Sequence, residues 1–139
     1  MGNEIIEKKS EQIHSFIQEL KEWTDVEFEV FDKTVTLIRS SERNLELLVE
    51  LSSDINSSIV QQKQGKTPDT YKDSFQWLNK LGIIGGDLCK KLVDSVSLRN
   101  GLVHEYDFEL DNRKFYDSIK NSFIPAYTEY LKAVIGALK

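Results

Sequence analysis

The chain has 139 residues, 40% apolar and 29% charged, with two prolines and seven glycines, which fits one globular domain over residues 1–139 that buries roughly 68% of its unfolded surface. A net charge of −5 argues against a broad electrostatic grip on nucleic acid, because phosphate contacts usually show as a basic excess; it leaves a protein partner, a small substrate or a local nucleic-acid patch. One cysteine and two histidines exclude an internal disulfide, a zinc cluster and a paired-thiol redox motif.

No run approaches the ~20 apolar residues of a spanning helix, so no membrane association is expected. The stretch Met1–Glu7 lacks a basic flank followed by an apolar core, and Ile6 stands where a myristoylation motif wants Ser or Thr. A cytoplasmic location is expected.

Along residues 3–22, Ile5, Ile6, Ile13, Phe16, Ile17 and Leu20 recur at helical spacing and predict one amphipathic helix. His14, on that helix, reads as a surface residue. Residues 23–40 are harder. Thr24-Asp25-Val26-Glu27 has the capping-box pattern, whereas Val26–Val30 alternates like a strand and Val35–Ile38 is rich in β-branched residues. A hairpin would conflict with its helical surroundings, so helix is the expectation.

Leu37, Ile38, Leu45, Leu48, Val49, Ser52, Ile55 and Ile59 predict a long helix over about 36–63, closed by Gly65 and Pro68. A short helix carrying Tyr71, Phe75 and Leu78 stops at Gly82. Another opens at Gly85-Gly86-Asp87, with Leu88, Leu92, Val93 and Val96 inward and Cys89 as a small buried hydrophobe. Residues 108–112 read as a connection. The last helix spans about 112–138, with Phe115, Ile119, Phe123, Tyr127, Leu131, Val134, Ile135 and Leu138 inward, and Pro125 is expected to kink or split it. The fold class is all-α, a bundle of about five helices.

The densest polar spot is Leu98-Arg99-Asn100-Gly101-Leu102-Val103-His104-Glu105-Tyr106. In a helix, Asn100 and His104 share one face and Arg99 and Tyr106 another. Chemistry alone leaves both outcomes open: a histidine near a helix end is often structural, and an Arg near acids is often a surface ion pair worth about 0–1 kcal/mol. Asp54, on the long helix, is a possible supporting residue for Arg99 or His104, or a solvated acid. Lys90 and Lys91 are candidates for an RNA-facing patch. Glu105, Asp107, Glu109 and Asp111 would repel phosphate or attract a basic partner.

The arrangement Arg-X4-His-X-Tyr, here Arg99, His104 and Tyr106, with Asn100 after the Arg, resembles the signature of HepT-like toxins in the HEPN superfamily. The likeness continues in order through Arg43-Asn44-Leu45-Glu46, Thr67-Pro68-Asp69-Thr70-Tyr71, Phe75 and Leu81-Gly82-Ile83-Ile84, covering about residues 40–138 clearly and the first 40 loosely. The resemblance implies a HEPN-type bundle, a homodimer, and cleavage of RNA (not DNA) without metal or cofactor. It assigns Arg99, Asn100 and His104 to catalysis and Tyr106 to AMP attachment by an MntA-type nucleotidyltransferase antitoxin, as in a type VII-like toxin–antitoxin pair. The chemistry suits these residues. Imidazole, with an unperturbed pKa of about 6.5, can take the proton of an attacking 2′-hydroxyl, and a guanidinium can stabilise the phosphorane. The alternative is an inactive HEPN adaptor that dimerises and binds a nucleotidyltransferase; the net acidity favours it, and the intact Arg99/Asn100/His104 set opposes it.

Overall fold

A computed structural model describes residues 2–104 and 111–138, giving only the backbone of Gly2 and His104. The described residues form helices and no strands: α1 (Gly2–Trp23), α2 (Phe28–Lys33), α3 (Val35–Gln64), α4 (Tyr71–Lys80), α5 (Gly86–His104), α6 (Asn112–Ser118), a π-helical turn (Ile119–Phe123) and α7 (Ile124–Ala137). The expected all-helical bundle is present. It has one more helix than expected, because residues 28–33 form α2, while α6, the π turn and α7 run on without a break. None of these helices is long and apolar enough to cross a membrane.

The long α3 is the central rod, packed against α1, α2, α4 and α5, while α7 closes the bundle against α1 and α5. Burial follows the helical period. In α1, Ile6, Ile13, Ile17 and Leu20 are buried, but Ile5 is 58% exposed because it lies one residue off that stripe. Ile135, also expected inward, is exposed too, whereas Val134 fills the core position beside it.

Within the stretch 24–34, residues 28–33 are helical, although not by the capping box expected at Thr24–Glu27. The Thr24 hydroxyl donates instead to the Leu20 carbonyl at 2.8 Å and closes α1, and Glu27 gives α2 no side-chain cap. Tertiary contact holds the segment. The Tyr116 hydroxyl of α6 donates to the carbonyls of Thr24 and Val26. Its ring lies edge-on to Phe28 at 5.5 Å and tilted against Phe31 at 5.2 Å, geometries that favour aromatic pairs.

Gly65 and Gly82 end the segments before them with φ of +64° and +76°, a backbone conformation costly for other residues. Pro125 falls at a division of the last helix, between the π turn and α7. It sits in the first turn of α7, directly after the π turn, where the Ile124 amide bonds to the Ile119 carbonyl. The extra residue per turn absorbs the missing N–H and the clash that a proline ring brings to an α-helix.

A buried polar chain crosses the bundle beneath α4. Ser53 donates to the Ser74 hydroxyl (3.2 Å), as does Asn56 Nδ2 (3.1 Å), and Ser74 donates to the Tyr71 carbonyl (2.7 Å). The Tyr130 hydroxyl of α7 lies 2.7 Å from Asn56 Oδ1 and 3.0 Å from the Ser52 carbonyl. Tyr127 shares a 2.8 Å hydrogen bond with Ser95. Both phenols are fully buried, and burial pushes Tyr127 up to about 12 and Tyr130 well above its ordinary value. A raised folded-state pKa means that the folded state keeps its proton while the unfolded chain loses it from about pH 10. Stability from these phenols is therefore whole below pH 10 and declines as pH rises toward 12. Urea titrations at pH 9 to 12 should show this decline, with Tyr127 contributing on the order of 2 kcal/mol, and Tyr127→Phe should flatten it. An unchanged slope in the variant would contradict the burial argument.

Candidate active site

Arg99 stands in the fourth turn of α5, after the inward residues Leu92 and Val96. Only 9% of it is exposed. A guanidinium that far from water needs compensating contacts, and three elements supply them. From α4, the Tyr71 ring lies 4.9 Å from the guanidinium carbon, within cation–π range. From α3, Glu50 Oε1 approaches Nη2 to 3.8 Å, a charge contact too long for a strong hydrogen bond. On α5 itself, Nη1 donates to Asn100 Oδ1 at 3.2 Å.

Arg99 and Asn100 form one wall of an open cleft of about 680 Å³. Ser53, Asp54 and Ser57 of α3 line the facing side, and Pro68–Lys72 closes one end. That end is held by a reciprocal cap. The Thr70 hydroxyl accepts the Asp73 amide at 3.0 Å, while Asp73 Oδ2 accepts the Asp69 amide at 3.0 Å. Tyr71 is therefore fixed as the first residue of α4. Within the cleft the buried charge is the cation Arg99, while Asp54 and Asp69 are exposed. Water screens those acids more than it screens the guanidinium.

The structure brings together three sequence-predicted residues at this cleft: Arg99, Asn100 and Asp54. Asp54 is ion-paired to Lys9 of α1 at 3.2 Å, and the acid beside Arg99 is Glu50, one turn earlier on α3. The backbone of His104 ends α5 one turn beyond Asn100; its side chain and Tyr106 lie outside the described residues. Asp111 caps α6, accepting the Lys114 amide at 3.1 Å. His14, Lys90 and Lys91 are exposed and away from the cleft lining. Cys89 is buried, and burial raises its thiol pKa. Among the described residues no group of three or more His, Cys, Asp or Glu is placed to hold a metal ion.

Sequence reasoning missed Glu50 and Tyr71. A signal for Glu50 exists, since Glu50 and Asp54 are four apart and share a face of α3. For Tyr71 there is none, because its contact with Arg99 depends on how α4 crosses α5.

Comparison with known proteins gives the family and the fold. The family model described as "Ribonuclease HepT-like" matches residues 13–134. A tRNA nuclease HepT of Aphanizomenon flos-aquae is 29% identical over 138 residues, covering 97% of this chain and 92% of that protein. A tri-AMPylated HEPN toxin of Shewanella oneidensis, solved in complex with an MNT antitoxin, superposes with a TM-score of 0.85 at 26% identity, covering 95% of this chain and 97% of that one. The cytosolic protein YutE of Bacillus subtilis shares the fold, with a TM-score of 0.74 at 19% identity over 95% of this chain and 90% of its own.

The cap generates a prediction. Thr70→Ala should lower unfolding free energy by about 1 kcal/mol in urea titration. A loss below about 0.3 kcal/mol would show that the cap does not anchor the cleft end.

Proposed function

The chain belongs to the HepT-like ribonuclease family, and on that footing we propose that it is the RNA-cleaving toxin of a HEPN/MNT toxin–antitoxin pair. The observation that carries this is the near-complete burial of Arg99 at the wall of an open cleft. A cation withdrawn from bulk water, held by Tyr71, Glu50 and Asn100 and still facing a cleft, is suited to a phosphate whose charge grows during reaction.

The cleavage step needs no metal. His104 takes the proton from a ribose 2′-hydroxyl, and the oxygen attacks the adjacent phosphorus. Arg99 binds the non-bridging oxygens of the phosphorane through its planar fork of donors. The P–O5′ bond then breaks, leaving a cyclic phosphate and a 5′-hydroxyl that receives a proton. Asn100 holds Arg99 through Oδ1 and keeps its amide group for a phosphate oxygen. Each chain has one His at this motif, so a homodimer with two motifs facing one cleft supplies the separate acid and base. A strictly monomeric protein that cleaves RNA would remove that part of the mechanism.

Regulation follows from Tyr106, two residues after His104. The relative solved with an MNT antitoxin is tri-AMPylated. AMP on Tyr106, attached by an MntA-type nucleotidyltransferase, would set phosphate beside Arg99 and His104 and compete with RNA for the same cations. A second reading, an adaptor without nuclease activity, draws on the net charge of −5 and on Asp54 and Asp69 at the cleft.

Two experiments decide. Purified protein should cleave a labelled tRNA mixture in EDTA, and His104→Ala and Arg99→Ala should each lower the rate at least about 100-fold. Absence of cleavage by unmodified wild-type protein favours the adaptor. Co-expression with the nucleotidyltransferase should add the mass of one or more AMP groups to the intact chain, lost in Tyr106→Phe. A mass gain that persists in that variant rules out Tyr106 as the acceptor.

A further inference from the structure

The cleft holds two cations, Arg99 and Lys72, too few to hold a long polyanion against a net charge of −5. Further positive charge lies on the outer face of α4. Lys72 and Lys80 stand eight residues apart on the side opposite the buried Ser74, Phe75 and Leu78, with the neutral Gln76 between them; Lys72 is half-buried, and Gln76 and Lys80 are exposed. This side begins at the cleft with Lys72 and runs ~12 Å at the rise of an α-helix.

Beside Lys80, Trp77 is half-buried against the core. Two ammonium groups lie over its ring: Lys80 at 5.0 Å and, from the loop after α3, Lys66 at 5.5 Å. Among the described residues Lys66, Lys72 and Lys80 form no ion pair. The acids of this segment are Asp69 and Asp73, and the Asp73 carboxylate is committed to the cap. A free lysine loses about 2 kcal/mol of rotamer freedom when fixed, and a cation–π contact of about 0.5–1 kcal/mol offsets part of that while the N–H donors still face outward. Trp77 thus biases two cations toward its face and lowers the cost of fixing them when a ligand arrives.

We infer that Lys66, Trp77 and Lys80, continued by Lys72, form a docking surface for the RNA backbone that leads the strand into the Arg99 cleft. This rests on the ribonuclease reading above and adds where the substrate lies outside the reacting bond. RNA is favoured over an acidic protein because the cations of α4 and the loop before it continue from the cleft that would receive a phosphate.

The test is binding of a labelled, 2′-O-methylated RNA strand, which resists cleavage by its own 2′-oxygen, across a salt series. Full-length wild type, Lys66→Gln/Lys80→Gln, Lys66→Arg/Lys80→Arg and Trp77→Leu would be compared after thermal melts establish folding. Each is also assayed for tRNA cleavage and antitoxin binding. The glutamine pair should bind about ten-fold more weakly at 0.1 M salt, with the log–log salt slope reduced by about 1.4. The arginine pair should match wild type, and Trp77→Leu should fall between. Cleavage at saturating RNA should be unchanged while KM rises. If wild type binds and cleaves RNA and the glutamine pair is indistinguishable from it, the docking surface is wrong and the nuclease reading stands. If the glutamine pair loses only antitoxin binding, the surface belongs to a protein partner and the inference falls. Wild type that neither binds nor cleaves RNA overturns both.

Discussion

Taking the Arg99 guanidinium out of water is the constraint around which the functional end of this molecule is arranged. A buried, uncompensated charge costs several kcal/mol, a large share of what a domain of this size has in total. The chain meets that cost with groups from three separate helices: the Tyr71 ring, the Glu50 carboxylate and the Asn100 amide oxygen. None of the three is a tight bidentate ion pair, which would neutralise the cation and make it useless to a phosphate. The Glu50 carboxylate, 3.8 Å away, lowers the cost of burial.

That arrangement depends on the spacing of α3, α4 and α5, and the polar chain beneath α4 sets it. Ser53, Asn56 and Ser74 meet between α3 and α4, and Tyr130 anchors the same cluster from α7. Apolar contacts tolerate small slides of one helix along another, whereas hydrogen bonds in a dry interior do not, since each unmade bond costs the desolvation of its group. Ser74 ties this cluster to the cleft through the Tyr71 carbonyl. Packing, hydrogen bonding and the position of the aromatic platform under Arg99 are therefore one mechanical unit.

How far the sequence discloses this varies by element. The long α3 and its end at Gly65, the stop at Gly82 and the start of α5 are local signals, and the structure agrees with them. The stretch 24–34 was ambiguous because its helix is held from outside, by Tyr116 some ninety residues away, and no window of sequence contains that contact. Ile5 and Ile135 fit an apolar face by residue type but sit just off its edge, a distinction of one residue in the helical period. At the site, Arg99 and Asn100 were legible because they are neighbours within one motif. Tyr71 and Glu50 were not, because their role is created by the crossing of helices. Asp54 was a reasonable candidate by position, yet Lys9 was not visible as its partner. His104 and Tyr106 rest on the motif itself, since their side chains lie outside the described residues.

A net charge of −5 looked like an argument against RNA, and the structure shows why a sum is a poor guide. At physiological salt a charge is felt over about 8 Å, so the sum over the whole chain says little about any one place on its surface. Local order counts for more. One cation is buried where the field is strong, one lies at the cleft mouth, and two are held over an indole ring. On the ribonuclease reading the overall acidity also has a use, because it weakens non-specific association with the polyanions of the cell. On that reading, binding is left to the few places where positive groups gather.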